Sequence, residues 1–319
     1  MLASIVVNTY NRPVAVNRCV ELLSRQARID EVEAIVVDDG SDGDFRAIER
    51  QWKTKLNFRF IRTAHGGRSA SRNRGARAAT GERLIFLGDD VFVRPGWLER
   101  HLERAGRPDV AVLGPYPLKL GGREGPRYSP PLARRVDSTA NFALIENDGD
   151  VPFRFFATGN LSMDRERFLA IGGFDERFAR YGWEDIDLGY RFARSGGRIV
   201  FDRAAEAVHH HPPMTRVDLW RREFDVGFTA MQFWEKWRAD DLRYMKFWGE
   251  RPTPGPAWRR ALGRAAIAAV EAVAPNGALL ERLYERAVYS HRHAGAAEAA
   301  RTAETRDAGA AEPAAEPGS

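Results

Sequence analysis

Two kinds of apolar pattern alternate along the chain. Short, uniformly apolar, β-branched runs predict buried strands. Longer stretches with apolar residues three and four apart predict helices that bury one face. Leu2–Val7 is the first strand-like run. Pro13 sits where a helix opens, and Val16, Val20 and Leu23 fall on one side of it. Glu33–Val37 reads as a second strand, closed by the turn Asp38-Asp39-Gly40-Ser41, and Phe58–Arg62 as a third. A Gly-opened helix is expected from Gly66 to Ala79. A fourth strand follows at Arg83–Leu87 and ends at Gly88-Asp89-Asp90; a helix covers Pro95–Ala105 and a fifth strand Val110–Leu113.

Strands that alternate with helices indicate βαβ units and a mostly parallel sheet. Such sheets bind ligands at the carboxyl ends of their strands. The polar clusters Asn8-Thr9-Tyr10-Asn11, Asp38-Asp39 and Asp89-Asp90 fall there. Tyr116–Val136, rich in Gly, Pro and Arg, is expected to be a long mobile loop, a candidate lid. Regular structure restarts at Phe153–Phe156. Arg165–Ile171 and Glu184–Ser195 are predicted helices and Arg198–Phe201 a strand. Val217–Ala239 is a long amphipathic helix carrying Trp220, Phe224, Phe228, Met231, Phe233, Trp234 and Trp237. Two more helices are expected from about Ala257 and about Ala278. From Ala294 onward the chain is Ala, Glu, Gly and Pro without an apolar pattern, which predicts disorder. The expected division is an α/β domain over 1–215, a helical extension over 216–293 and a disordered tail over 294–319.

Composition adds exclusions more than assignments. The chain has 319 residues, enough for one large or two small domains. Its net charge of +5 suits anionic partners: nucleotides, phospholipid head groups or nucleic acid. No nucleic-acid reading motif is present, and acids occupy the expected ligand edge, so no nucleic-acid partner is expected. The single cysteine, Cys19, excludes an internal disulfide and a cysteine-built zinc site, and fits a reducing compartment. Met1–Val7 has no basic region before it and an Asn straight after, unlike a signal peptide. Arg and Glu interrupt every apolar run before it reaches spanning length, so a cytoplasmic location is expected.

Each polar motif has a bland reading beside a chemical one. Asp38-Asp39 alone reads as a turn; its alternative is a carboxylate that accepts hydrogen bonds from a base or ribose. Asp89-Asp90 places two like charges at a strand end, where they repel unless a cation or hydrogen-bond donors offset them. Mg²⁺ or Mn²⁺ prefers oxygen ligands and substrate phosphates. The run from His65 to Gly75 is a solvated basic helix face or a phosphate cradle; its spacing matches neither a Walker A loop nor a dinucleotide fingerprint. Glu184-Asp185 at a helix start are dipole partners or hold a general base. His209-His210-His211 is a polar turn before Pro212-Pro213, or metal ligands, with His209 and His211 on one side of an extended segment.

Together these motifs resemble the family 2 glycosyltransferases with a GT-A fold, a Rossmann-like mixed sheet with flanking helices. The resemblance covers about Leu2 to Pro213. It rests on Ile5 to Arg12, Val36 to Ser41, Ser71-Arg72-Asn73-Arg74-Gly75, Phe86 to Asp90, Gly159-Asn160 through Gly173-Phe174-Asp175, and Trp183-Glu184-Asp185, in that order. Gly88 departs from the commonest pattern, which has an acid there. The resemblance implies an inverting transferase that moves a sugar from a nucleotide-diphosphate donor, a UDP-sugar by default, to a saccharide or lipid-linked saccharide acceptor. That would serve cell-envelope polysaccharide or glycolipid synthesis. It assigns Thr9 and Asp39 to the nucleotide base with Tyr10 or Asn11 beside them, Asp89 to ribose, and Arg72 to the base or phosphates. It assigns Asp90 and His209 to a Mn²⁺ or Mg²⁺ cofactor, with His211 a weaker ligand candidate. Asp185 is the implied catalytic base, Glu184 orients acceptor hydroxyls, and Trp183 stacks on the acceptor sugar. Two alternatives stand beside it: a catalytically silent nucleotide-sugar-binding protein, and a retaining transferase of the same fold.

The helix opening near Ala257 also has two readings. Trp258, Leu262, Ile267, Val270 and Val273 recur at helical spacing with Arg259, Arg260 and Arg264 nearby. Packing on the rest of the protein is the favoured reading. The other is a basic amphipathic helix at the inner membrane surface, which would suit a lipid-linked acceptor.

Overall fold

The first apolar run folds as β1 (Ala3–Thr9), with Ala3, Ile5, Val6 and Val7 fully buried. The structure is a computed structural model and describes residues 1–103, 107–118, 142–211, 215–238, 257–273 and 278–310. The chain divides into two compact units. The first holds the described residues of Met1–Arg127, Ala133–Ala179 and Glu184–Met214; the second holds those of Arg180–Trp183 and Thr215–Ser319.

In the first unit β1 pairs in parallel with β2 (Val32–Asp38) on one side and β4 (Arg83–Gly88) on the other, and β3 (Phe58–Arg62) extends β2 in parallel. The remaining strands are β5 (Val91–Val93), β6 (Val110–Leu113), β7 (Gly149–Asp150), β8 (Asn160–Asp164), β9 (Arg198–Phe201) and β10 (Ala207–His209). The main sheet runs β3-β2-β1-β4-β8-β6-β9-β7, and β5 pairs with β10 in a separate antiparallel ribbon. The sheet is mixed but mostly parallel: β8 runs against both β4 and β6, and β7 against β9, while the other six strands share one direction. The sequence pattern hides β8 because Asn160 and Ser162 are polar. They are nevertheless fully buried, because a hydrogen-bonded network satisfies them.

Side chains alternate across the sheet and so feed two cores. Ile5 and Val7 meet α1 (Pro13–Leu23) through Val16, Val20 and Leu23. Trp52 of α2 (Arg46–Lys53) and Trp97 of α4 (Trp97–Leu102) join the same core. Val6 faces the other way. It meets Ala76 of α3 (Gly67–Ala78), with Phe168 of α5 (Arg165–Ala170) and Leu188 and Phe192 of α6 (Glu184–Arg194). A Cβ on Gly75 would lie 2.4 Å from Val6 Cγ1, so only glycine lets α3 ride this close to β1. Most of the proposed lid, residues 119–136, lies outside the described residues.

The second unit contains α7 (Arg216–Trp237), α8 (Ala257–Val273) and α9 (Ala278–Ala310). Thr215 and Asp218 form a capping box that starts α7. The expected disorder from Ala294 is corrected by α9, which continues to Ala310. Its small residues are the packing surface. Ala294, Ala296, Ala297, Ala299 and Ala300 are buried, and a Cβ on Gly295 would fall 1.9 Å from Phe224 O of α7. An Ala and Gly stripe lacks the bulk that marks an apolar face in a sequence, yet it permits close helix approach. Among the described residues, no helix is long and apolar enough to cross a membrane.

Candidate functional site

Because β1, β2 and β4 are parallel, Thr9, Asp38-Asp39 and Gly88-Asp89-Asp90 reach the same edge of the sheet. β8 runs the other way, so it begins at that edge: Leu87 pairs with Asn160, and Gly88 N donates to Gly159 O at 3.1 Å. Strand direction alone thus brings Thr158 beside the Asp89-Asp90 turn.

The acid pair at 89–90 is buried and partnered. Thr9 Oγ1 donates to Asp89 Oδ2 at 2.8 Å. Arg12 Nη1 donates to Asp90 Oδ2 at 2.6 Å and to Asp89 Oδ1 at 3.3 Å. His209 Nε2 lies 3.4 Å from Asp90 Oδ1. It is placed there by pairing of β10 with Val91, and His210 N donates to Asp90 O at 2.7 Å. Burial and the charge of Asp90 push Asp89 above the usual carboxylate range, against the pull of Arg12 and the Thr9 hydrogen bond. Burial pushes Asp90 upward too, but His209, Arg12 and His211 outweigh it and hold Asp90 below that range. Asp90 is therefore the more readily ionised of the two.

Asp90 and His209 fit a divalent cation. Their donor atoms are nearly as far apart as the ~3 Å edge of an octahedron with ~2.1 Å bonds, and one carboxylate plus an imidazole leaves room for substrate phosphates. Among the described residues no three His, Cys, Asp or Glu side chains form an all-protein cage. His211 stands 5.3 Å from His209, ring centre to ring centre.

The turn after β2 has a different character. Asp39 Oδ1 accepts from Gly66 N at 2.9 Å and Ser71 Oγ at 2.8 Å; Oδ2 accepts from Gly67 N at 2.9 Å and lies 2.9 Å from His65 Nδ1. This carboxylate caps α3, whose free N–H groups need an acceptor. Asn11, at a φ of 54°, closes the same turn, with Nδ2 donating to Asp42 Oδ2 at 3.2 Å and Oδ1 accepting from Asp42 N at 2.9 Å. Tyr10 is exposed, its ring 4.5 Å from that of His65.

Glu184 and Asp185 open α6. Thr158 grips Asp185 twice, Oγ1 donating to Oδ1 at 2.5 Å and N donating to Oδ2 at 3.1 Å. Arg72 Nη1 reaches Glu184 Oε1 at 3.3 Å and Asp185 Oδ1 at 3.4 Å. Arg72, assigned by resemblance to the base or phosphates, thus stands with the proposed base. Glu184 is pushed upward by burial and by the Asp185 charge, against Arg72 and Arg68. Its Oε2 is buried with no hydrogen-bond partner. Asn73 braces α3 from the other side: Oδ1 accepts from Phe174 N at 2.8 Å and Nδ2 donates to Phe174 O at 2.9 Å. Trp183 belongs to the second unit. It has a φ of 62°, and its ring lies 5.2 Å from that of Phe233 of α7, tilted by 39°.

Two site residues escaped the sequence. Arg12 had a weak signal, a cation directly after the polar turn of β1. Thr158 had none, since a lone threonine 27 positions from its carboxylate resembles any other.

The family model described as Glycosyl transferase family 2 matches residues 4–168, and that of the N-terminal domain of galactosyltransferase matches residues 142–212. Hyaluronan synthase of Pasteurella multocida is 31% identical over 238 residues, covering 66% of this chain and 24% of that protein. Chondroitin synthase of Escherichia coli is 30% identical over 240 residues, covering 66% of this chain and 35% of that protein. The chain spans only about a quarter to a third of the length of these curated relatives. A mannosyltransferase from Pyrobaculum calidifontis, solved with GDP-Man and Mn²⁺, superposes with a TM-score of 0.61 at 18% identity, covering 95% of this chain and 87% of that one.

Proposed function

The chain belongs to glycosyl transferase family 2 and has the GT-A fold, and on that premise we propose that it is an inverting glycosyltransferase. The donor is a nucleotide-diphosphate sugar, a UDP-sugar by default. The acceptor is a hydroxyl of a saccharide or lipid-linked saccharide, in cell-envelope polysaccharide or glycolipid synthesis. One observation carries this reading. The Asp89-Asp90 pair and Asp185 meet at one sheet edge, joined through the Gly88–Gly159 hydrogen bond and the Thr158 clamp.

Asp185 takes the proton of the acceptor hydroxyl as its oxygen attacks the anomeric carbon, and the bond to the diphosphate breaks on the opposite face. One such displacement inverts the anomeric centre. Thr158 aims the carboxylate, and Arg72 holds negative charge on the Glu184-Asp185 pair in a buried setting. Glu184 beside Asp185 is the group proposed to orient acceptor hydroxyls. Thr9, Tyr10, Asn11, Asp39 and Asp89 form the nucleotide end; Asp39 serves it by capping α3 as well as by any direct contact. Asp90 and His209 would hold Mn²⁺ or Mg²⁺, which when bound offsets charge on the departing diphosphate.

A screen of nucleotide sugars for Mn²⁺-stimulated hydrolysis, followed by transfer to saccharide acceptors, tests the reading. Hydrolysis of one donor and an inverted anomer by NMR are expected. Donor binding without any turnover would make the protein a silent binder, and a retained anomer would remove the single displacement.

A further inference from the structure

The helix α8 is apolar on two opposite sides. On one side Ile267 is fully buried, and Arg264 Nη1 reaches His291 Nε2 of α9 at 3.3 Å, so this side rests on α9. On the other side Trp258, Ala261, Leu262, Ala265, Ala269 and Ala272 are all exposed. At roughly 100° per residue they fall in one arc about 100° wide, centred opposite Ile267. Trp258 is 59% exposed and Leu262 61%. Arg259 flanks one border of the arc and Arg264 the other, and both are exposed. The Arg259 guanidinium lies over the Trp258 ring at 5.4 Å.

A helix that only packed on its neighbour would turn its polar residues outward. Here the outward arc is apolar and its borders are cationic. That pattern suits a boundary between hydrocarbon and negative charge. A protein partner would need the apolar arc but gives no reason for the Arg259 cation set over Trp258 at its border. The helix carries three arginines and one glutamate, so the bias is towards an anionic surface.

We propose that the outward face of α8 lies on an anionic lipid surface, with Trp258 and Leu262 at the acyl boundary and Arg259 at the phosphates. The contact is reversible, as expected of one short interfacial helix. It does not depend on the proposed transfer reaction.

The test is co-sedimentation of the full chain with vesicles of phosphatidylcholine, with and without phosphatidylglycerol. Binding to the anionic vesicles alone is expected, and it should weaken as salt screens the arginines. The double variant Trp258→Ser/Leu262→Ser should lower the bound fraction about tenfold, and Arg259→Glu severalfold, with unchanged far-UV circular dichroism. Donor hydrolysis should be unaffected in both, which separates this outcome from a failure of the catalytic reading. Equal sedimentation of the double variant and the unaltered chain would overturn the proposal, as would equal binding to neutral vesicles. Light scattering that shows a self-associated species, dispersed by the double variant, with no vesicle binding, would assign the face to a second copy instead.

Discussion

Two adjacent carboxylate pairs stand in the same unit, and they are built for different tasks. Asp89-Asp90 ends a strand; Glu184-Asp185 begins a helix. Each pair is held by one arginine, and in each one member is pushed above the usual carboxylate range. The difference lies in the cation. The side chain of Arg12 is 35% exposed, whereas that of Arg72 is 9% exposed. The Arg12 guanidinium keeps a route to solvent, and His209 Nε2 lies 3.4 Å from Asp90 Oδ1. Arg72 has no such exit, and Thr158 fixes the acid beside it. The first pair is thus held by a cation at the solvent border, and the second by a buried cation and a threonine clamp.

The strongest way to break this comparison is at the second pair. Asp185→Asn is expected to lower kcat by roughly 10²–10⁴ while leaving donor affinity by calorimetry unchanged. Near-normal transfer by a folded variant would remove Asp185 as the base. The two cations come next. Arg72→Met should cost roughly 3 kcal/mol in urea denaturation, because it strands the buried Glu184 beside the half-buried Asp185. Arg12→Met should cost less, because Thr9 still donates to Asp89 and His209 still lies beside Asp90. Equal losses would erase the distinction. A smaller effect is expected at the clamp: Thr158→Val should lower kcat about tenfold with little change in KM, and Thr158→Ser should restore most of it.

The smallest effect is a pH slope. Glu184 is raised in the folded state, so it favours folding when protonated, and that contribution is lost as pH rises through its folded value. The stability difference between Glu184→Gln and the unaltered chain should therefore move in favour of the variant from pH 4 to pH 8. A flat difference in urea midpoints would mean that Arg72 already offsets the charge.

Much of the fold was legible because its signals are local. The uniformly apolar runs became β1, β2 and β4 with ends shifted by one or two residues. The helices expected near 13, 66, 165, 184 and 217 are present. The elements that were missed carry weak local signals. β5 and β10 have three residues each, α2 has eight with a mostly polar face, and β8 buries polar side chains. The Ala-rich part of α9 has no bulky stripe to reveal which side packs.

The order of strands and helices, the acids at strand ends and the paired acids at 184–185 follow from the sequence alone. Backbone sterics and apolar periodicity act over a few residues and leave their mark on composition. Which cation holds which acid was decided only in three dimensions. Arg12 meets Asp90 across 78 positions, Arg72 meets Asp185 across 113, and Thr158 meets Asp185 across 27. Those contacts depend on strand direction and on how closely α3 rides over β1. The choice of partner is therefore a property of the packed sheet and not of any single segment.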